Sequence, residues 1–415
     1  MKLVEISHSC LNEIINKEVP FKLAIENICN KNSIVREDRK NLTNIIGCSL
    51  RHFYIFDNIV SRLEKDFSSE QKIALYLYLS NRLFIPLISN KDMDELLAKY
   101  EISKEDINRI NDLSKEKSKL IPDNVSNDSI EYLHYRFNIP SWILKMWMKH
   151  FKGYTYKIVK SINIPANHYL LKNSSLIKDE ELANQTDFVP SNIEGLYRYQ
   201  GKVGPMRHPL VRSGKMVLIT PAEYYLYSKL DLDVLRKIAL YSEVANNIPL
   251  HLEALLSKKY NMDIIAGSSE AYYPTKKDIE NRQLNKVNLY QTGHFSIITC
   301  LSEKVHTFFV LPANTNFAEL RKSPDYFNRI KQEQLDEQLA NQKLALHDAS
   351  EFIEEGGQLI YAVSTMDKKE TLQITDEFLR NHPEFSLLEQ KQFLPFDKYD
   401  STYYFAIFVK EVKDD

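Results

Sequence analysis

Gly356-Gly357-Gln358-Leu359-Ile360-Tyr361-Ala362-Val363-Ser364-Thr365 is the stretch on which the fold turns. Upstream of it, Leu335, Leu339, Leu346, Ala349 and Ile353 share one face at helical spacing, which predicts a long helix from about Phe327 to Glu354. In this reading the paired glycines stop the helix at a left-handed C′ position, and Gln358–Val363 is a buried strand. The same alternation repeats outward from here. Met216–Thr220, Val234–Tyr241, Asp263–Ala266, Phe295–Cys300, His306–Leu311 and Tyr403–Val409 read as strands. Pro221–Leu230, Pro249–Tyr260, Lys276–Val287 and Thr371–Asn381 read as helices. Strands alternating with helices predict a doubly wound, mostly parallel, Rossmann-like α/β sheet with helices on both faces.

Residues 1–125 carry helical periodicity only, as in Leu11, Ile14 and Ile15 or Ile55, Ile59, Val60 and Leu63. Ser68-Ser-Glu70 opens one helix, and Ser103-Lys-Glu-Asp106 opens another in the pattern of a capping box. The polar run Ser114–Asp128 marks a boundary. Pro140 and Ser141 start a linker helix with Ile143, Leu144, Trp147 and Phe151 on one face, and Tyr169–Leu171 is a short strand beyond it. The expected organisation is multidomain: all-α at 1–125, a linker helix and small α+β module at 126–205, and the doubly wound α/β domain at 206–415.

Composition excludes several function classes. The 54 Lys+Arg and 56 Asp+Glu give a net charge of −2, so the overall charge carries no nucleic-acid signature. Only 10 of 415 residues are glycine, and none lies in G-x-G-x-x-G or G-x-x-x-x-G-K, the loops that cradle phosphates. The eleven histidines contain no H-E-x-x-H, so no metal site is expected, and G-x-S-x-G is absent. Cys10, Cys29, Cys48 and Cys300 lack C-x-x-C spacing and read as reduced thiols. Glu5 and Glu13 interrupt the first apolar stretch, so it does not read as a signal peptide. Ile73–Ile88, broken by Asn81, Arg82 and Pro86, is too short to span a bilayer. The expectation is a soluble, cytoplasmic monomer.

The motif order carries a resemblance. Gly357-Gln-Leu-Ile-Tyr-Ala-Val-Ser-Thr365, with the helix Thr371-Leu-Gln-Ile-Thr-Asp-Glu-Phe-Leu379, resembles the last motif block of the RsmB-type (Sun/Fmu) ribosomal RNA cytosine-5 methyltransferases, where the strand reads G-G-x-L-V-Y-[AS]-T-C-S. Leu320-Arg-Lys-Ser-Pro-Asp325 resembles the family's R-R-x-P-D segment, and Phe137-Asn-Ile-Pro-Ser-Trp-Ile-Leu-Lys145 its H-P-x-W-L segment. Tyr169-Leu-Leu-Lys-Asn173 is similar to a W-L-R-x-N strand in the family's small RNA-binding module, and Asp397–Lys410 to its closing strand. The resemblance implies a NusB-like helical domain at 1–125, a Rossmann-like methyltransferase domain and rRNA as substrate.

The departures bear on function. The family attacks cytosine C6 with a thiolate and transfers a methyl group from S-adenosylmethionine, with a second cysteine assisting release. Here Ser364 stands in the T-C-S motif, and D-A-P-C-S-G reads Val310-Leu-Pro-Ala313-Asn-Thr. Ser364, Ala313 and Val310 thus fill the family's chemical positions, and a serine hydroxyl is far less nucleophilic than a thiolate. The first cofactor motif, D-x-C-A-A-P-G-G-K in the family, reads Ser242-Glu-Val-Ala-Asn-Asn247 here. Ser242, Glu243, Asn246, Ser268 and Glu270 are what remains to meet a cofactor, so none is expected to bind. The RNA-contact candidates are Lys172, Asn173, Lys202, Arg207, Arg212, Arg321 and Lys322, with Tyr197 and Tyr199 to stack on bases. The leading expectation is a catalytically degenerate homologue that binds RNA or a ribosomal subunit. The alternatives are an active S-adenosylmethionine-dependent enzyme with an atypical site and a protein-interaction module acting through the NusB-like domain.

Overall fold

Packing sorts the chain into two units, residues 1–164 with 319–330, and residues 165–318 with 331–415. The computed structural model describes residues 2–116, 120–122, 124–127, 129–231, 237–256, 260–292 and 297–412.

The helical unit runs through α1 (Leu3–Asn16), α2 (Phe21–Lys31), α3 (Arg36–Arg51), α4 (Phe53–Ser61), α5 (Ser69–Leu83), α6 (Asn90–Lys99), α7 (Lys104–Leu113), α8 (Ile130–Phe137), α9 (Ser141–Phe151) and α10 (Thr155–Ile162). Leu11, Ile45, Phe56 and Leu75 are fully buried at its centre. Ser103 and Asp106 form the capping box that their spacing predicted, and Ser68 forms another with Gln71. Asn138, left-handed at φ 55°, ends α8. Its side-chain oxygen accepts from Tyr54 N at 3.0 Å, and its side-chain nitrogen donates to Leu50 O at 2.9 Å.

The second unit begins with a four-stranded antiparallel sheet in the order β2-β3-β1-β4, built from β1 (Tyr169–Lys172), β2 (Phe188–Pro190), β3 (Leu196–Tyr199) and β4 (Met216–Ile219). It carries the short helices α11 (Asp179–Ala183), α12 (Pro209–Arg212) and α13 (Pro221–Tyr227). The larger sheet has the order β10-β11-β9-β8-β5-β6-β7, from β5 (Lys237–Ser242), β6 (Asn261–Ala266), β7 (Val287–Gln291), β8 (Val305–Leu311), β9 (Ile353–Val363), β10 (Phe385–Phe393) and β11 (Tyr403–Lys410). The neighbours from β7 to β9 pair in parallel, whereas β11 is antiparallel to both β9 and β10. This unit also contains α14 (Ile248–Leu256), α15 (Ser269–Arg282), α16 (Ile297–Cys300), α18 (Leu335–Glu351) and α19 (Leu372–Asn381), while α17 (Tyr326–Arg329) belongs to the helical unit. Ile238, Leu240, Phe309 and Ile360 enter one core layer, and Ala239, Tyr241, Phe308 and Tyr361 the other. Burial on both faces explains why these strands read as continuous apolar runs.

Four expectations are corrected. Met216–Ile219 is β4, antiparallel to β1 in the small sheet, and not a strand of the doubly wound one. Residues 297–300 form one turn of helix rather than the end of a strand. The first residues of that expected strand, like residues 234–236 of the one before β5's start, lie outside the described ones. The charged helix expected over Lys276–Val287 begins earlier, at Ser269, and ends at Arg282, which leaves Val287 to open β7. The long helix is not continuous either. It is divided into α17, a 3-10 turn at Gln332–Gln334 and α18, which ends at Glu351. Gly356 and Gly357 therefore do not stop it but lie inside β9, where the pairing with β8 shifts register between Val305 and Thr307. Gly356 is left-handed at φ 74°, and a Cβ on Gly357 would stand 2.8 Å from His306 O and 2.9 Å from Glu354 O. Both obstacles are backbone, so Gly357→Ala is expected to destabilise the protein by about 2 kcal/mol. A thermal melt checks this, and an unchanged midpoint would remove the close approach as the reason for glycine.

Residues 319–330 leave the second unit's chain and complete the first. Asp325 is fully buried, and its Oδ2 accepts from Phe21 N, the first residue of α2, at 3.0 Å and from Arg329 Nε at 2.6 Å. Arg321 Nε donates to Ser161 O in the last turn of α10 at 3.0 Å. A carboxylate thus meets a helix N-terminus and a guanidinium a helix C-terminus, each the favourable sign for the helix dipole. Among the described residues no helix is long and apolar enough to cross a membrane.

Candidate functional site

The strand order of the large sheet reverses between β5 and β8. From β5 the chain builds outward through β6 and β7, then returns to place β8 on the other side of β5. In doubly wound sheets ligands bind outside the carboxyl ends of the strands at such a switch point.

The loop after β5 is knitted by its own polar side chains. Ser242 Oγ donates to Val244 O at 2.6 Å, Asn246 Nδ2 donates to Ser242 Oγ at 3.1 Å, and Asn246 Oδ1 accepts from Ile248 N at 3.1 Å. Glu243 is 6% exposed, and its Oε2 accepts from Ala313 N, beyond the end of β8, at 2.8 Å. Its backbone O accepts from Ser268 Oγ at 2.7 Å, and its N donates to Leu311 O at 3.0 Å. The Tyr241 hydroxyl lies beside the Glu243 side chain; burial first, then that carboxylate, pushes the phenol well above its ordinary range. At the end of β6, a Cβ on Gly267 would stand 2.8 Å from the Tyr241 hydroxyl and 3.0 Å from Glu243 Cγ. Ser268 caps α15, accepting from Ala271 N at 3.0 Å, and Glu270 is exposed in that helix's first turn.

A nucleoside cofactor such as S-adenosylmethionine needs bare backbone after the first strand and an acid after the second to hold ribose hydroxyls. Here the first loop carries Ser242, Glu243 and Asn246, and the second strand is followed by Gly267. The acid that follows, Glu270, is exposed in the first turn of α15.

The three positions matched to the family's chemistry lie on β8, β9 and the loops that follow them. Val310 is fully buried within β8, paired with Tyr241 on β5. Ala313 offers a methyl group, with its N–H on Glu243 and its carbonyl accepting from Gln342 Nε2 at 2.9 Å. Ser364 is half-buried, and its hydroxyl makes no hydrogen bond among the described residues, so no base there shares its proton.

The same loops build a centre that sequence reasoning missed. Glu370, 1% exposed, accepts from four donors: Thr315 N at 2.9 Å and Gln342 Nε2 at 2.9 Å on Oε1, and Thr315 Oγ1 at 2.6 Å and Thr365 Oγ1 at 2.9 Å on Oε2. The Thr315 and Thr365 hydroxyls also contact each other, and Tyr361 donates its hydroxyl to Glu370 O at 2.7 Å. Burial pushes the Glu370 carboxyl above its usual range, against the donors that favour its charged form. Lys368 and Lys369 make that stretch read as a solvated loop. The available signal was an acid shortly after Ser364, on the chain that leaves the resembling strand.

The RNA-contact candidates fall into three groups. Lys202, Arg207 and Arg212 are exposed on the single connection between β3 and β4, beside exposed Val203 and Met206. Lys172 is paired with Asp179, and Asn173 is 2% exposed, its side-chain oxygen accepting from Ser175 N at 3.1 Å and Ser175 Oγ at 2.6 Å. Arg321 holds the end of α10, and Lys322 lies 3.5 Å from Glu319. Tyr197 is half-buried. Tyr199 is not a stacking platform: it is buried against Phe188 and His208. Among the described residues no three His, Cys, Asp or Glu side chains converge to hold a metal ion.

No protein-family profile and no curated protein matches this chain, whereas solved structures do. A methyltransferase homolog protein from Pyrococcus horikoshii aligns over 69% of this chain and 100% of its own, with a TM-score of 0.57 at 11% identity. NSun6 from Pyrococcus horikoshii, solved with SFG, aligns over 66% of this chain and 99% of its own, with a TM-score of 0.55 at 15% identity. Over that part the chain shares the fold of these two proteins. PH0851 extends the likeness to the helical region, aligning over 99% of this chain and 99% of its own with a TM-score of 0.75 at 15% identity.

Proposed function

We propose that this chain is a homologue of the RNA methyltransferases that has kept their fold and an RNA-binding role, on rRNA or a ribosomal subunit, and has lost methyl transfer. The observation that carries the reading is the pair Ala313 and Ser364: neither supplies a thiolate, and the Ser364 hydroxyl makes no hydrogen bond among the described residues. NSun6 was solved with SFG. In this chain the switch-point crevice presents Glu243 and Gly267, and S-adenosylmethionine takes no part in the proposed role. The helical residues 1–125 are read as NusB-like, residues 126–205 as a linker helix and a small RNA-binding-like α+β module, and the chain acts as a monomer in the cytoplasm.

RNA contact is assigned to Lys202, Arg207 and Arg212, exposed cations on one short connection flanked by apolar side chains. Each phosphate neutralised contributes about 0.7 to 0.9 to the salt dependence of binding. Replacing all three by Ala is therefore expected to lower the slope of log K against log salt by roughly 2 to 3. Filter binding to rRNA fragments measures it, and an unchanged slope would take the connection out of the interface. In parallel, incubation with methyl-labelled S-adenosylmethionine and rRNA is expected to leave the RNA unlabelled; labelled cytosine would refute the loss of methyl transfer.

A further inference from the structure

We infer that Glu243 is the resident occupant of the switch-point crevice and the residue that excludes nucleoside ligands from it. This rests on the proposed absence of a cofactor from the crevice and adds a cause to it. The side chain leaves the end of β5 and reaches across to Ala313 N, so a carboxylate from the chain itself holds a backbone donor beyond the end of β8. The arrangement is tied down from several sides. Ser268 Oγ, at the start of α15, fixes the Glu243 carbonyl, Leu311 O accepts the Glu243 amide, and the Tyr241 hydroxyl lies beside the side chain at Gly267. One carboxylate oxygen, the carbonyl and the amide are engaged, and the residue is buried, which makes it part of the packed structure rather than a movable gate.

Gly267 supports the same conclusion. A glycine after the second strand of a nucleotide-binding sheet would ordinarily read as room for a ligand. Here the missing Cβ is where Tyr241 and Glu243 sit, at 2.8 and 3.0 Å from the position a Cβ would take. The space is filled by the protein. A nucleoside entering this crevice would have to displace a buried carboxylate from its amide donor and would find Gly267 where an acid should meet its ribose. Displacement without replacement leaves Ala313 N without this acceptor, and unpaired buried polar groups are costly.

The test is a double-mutant cycle read beside a ligand titration. Gly267→Asp is expected to lower the melting temperature in the wild-type background, because its side chain enters the space of Glu243. In the Glu243→Ala background the loss is expected to be clearly smaller, since that space has been vacated. Equal losses in the two backgrounds would overturn the inference. Calorimetric titration of the wild-type protein with S-adenosylhomocysteine is expected to show no heat of binding, and micromolar affinity would be equally fatal to it. If Glu243→Ala does not fold, Glu243→Gln keeps an oxygen for Ala313 N and the same bulk. Gly267→Asn, which adds similar bulk without a second carboxylate beside Glu243, must then cost as much in the Gln background as in wild type, and a smaller cost there would count against the proposal. The two readings fail separately: ligand binding without RNA labelling removes Glu243 as an occupant but leaves the RNA-binding role intact.

Discussion

Glu370→Ala is expected to destabilise the second unit by about 3 to 5 kcal/mol, read as a lower denaturant midpoint. The carboxylate is the acceptor for Thr315 and Gln342, both buried, and for Thr365 next to Ser364. Truncation leaves an amide, a carboxamide and two hydroxyls without their shared acceptor. Each orphaned donor costs about 1 to 3 kcal/mol, and partial relaxation keeps the sum below their full total. Glu370→Gln is expected to cost only about 1 kcal/mol. Its oxygen can face Thr315 N and Gln342 Nε2 while its amide donates to the two hydroxyls. Equal losses for Ala and Gln would show that volume, not acceptor chemistry, sets the cost.

The same site has a pH signature. With Glu370 ionised, the three mutually contacting oxygens of Thr315, Thr365 and Glu370 share two hydroxyl protons; protonation supplies a third. The folded carboxyl titrates above its unfolded value, chiefly through burial. Its stabilising contribution is therefore complete below the unfolded value and lost as pH rises through the folded one. The stability advantage of wild type over Glu370→Gln should grow as pH falls from neutral toward about 5. An advantage that shrinks over that range would reverse the assigned direction.

Asp325→Ala is the second large effect, about 3 kcal/mol on the helical unit. Pro20, the residue before α2, makes no side-chain cap, and Asp325 provides the acceptor that a cap would otherwise supply to Phe21 N. Removing it also deprives Arg329 of its 2.6 Å partner. Asn, which keeps an acceptor but not the charge, should recover part of the loss. Amide exchange at Phe21 is the direct readout. Protection unchanged in Asp325→Ala would mean that α2 is held by packing alone.

How far the sequence disclosed this molecule depended on burial. β8, β9 and β11 were legible because each places side chains in both core layers, and α19 because of its amphipathic period. β10, Phe385-Ser-Leu-Leu-Glu-Gln-Lys-Gln-Phe393, was not, because it is an edge strand with one partner and many polar side chains. β7 lies at the opposite edge, and its Val287 reads as the end of a charged helix. Residues 297–300 failed differently, since a short apolar run fits strand and buried helix equally well. Gly356-Gly357 fitted a rule for helix ends at a place where the backbone needed an irregular strand. At the site, Ala313 and Ser364 were matched to the thiol positions only through the resemblance. The role of Glu370 was not, because its donors come from Thr315, Gln342 and Thr365, and only the fold assembles them.

The inserted segment also imposes an order in time. A ribosome extends a chain from its amino terminus at about 5 to 20 residues per second. Residues 1–164 are therefore complete roughly 8 to 30 s before the segment that ends at Ile330 has been made. Through that interval the nascent helical unit holds the Phe21 amide and the Ser161 carbonyl without Asp325 and Arg321. Vectorial synthesis thus begins this unit first, yet withholds its last piece until most of its partner has already emerged.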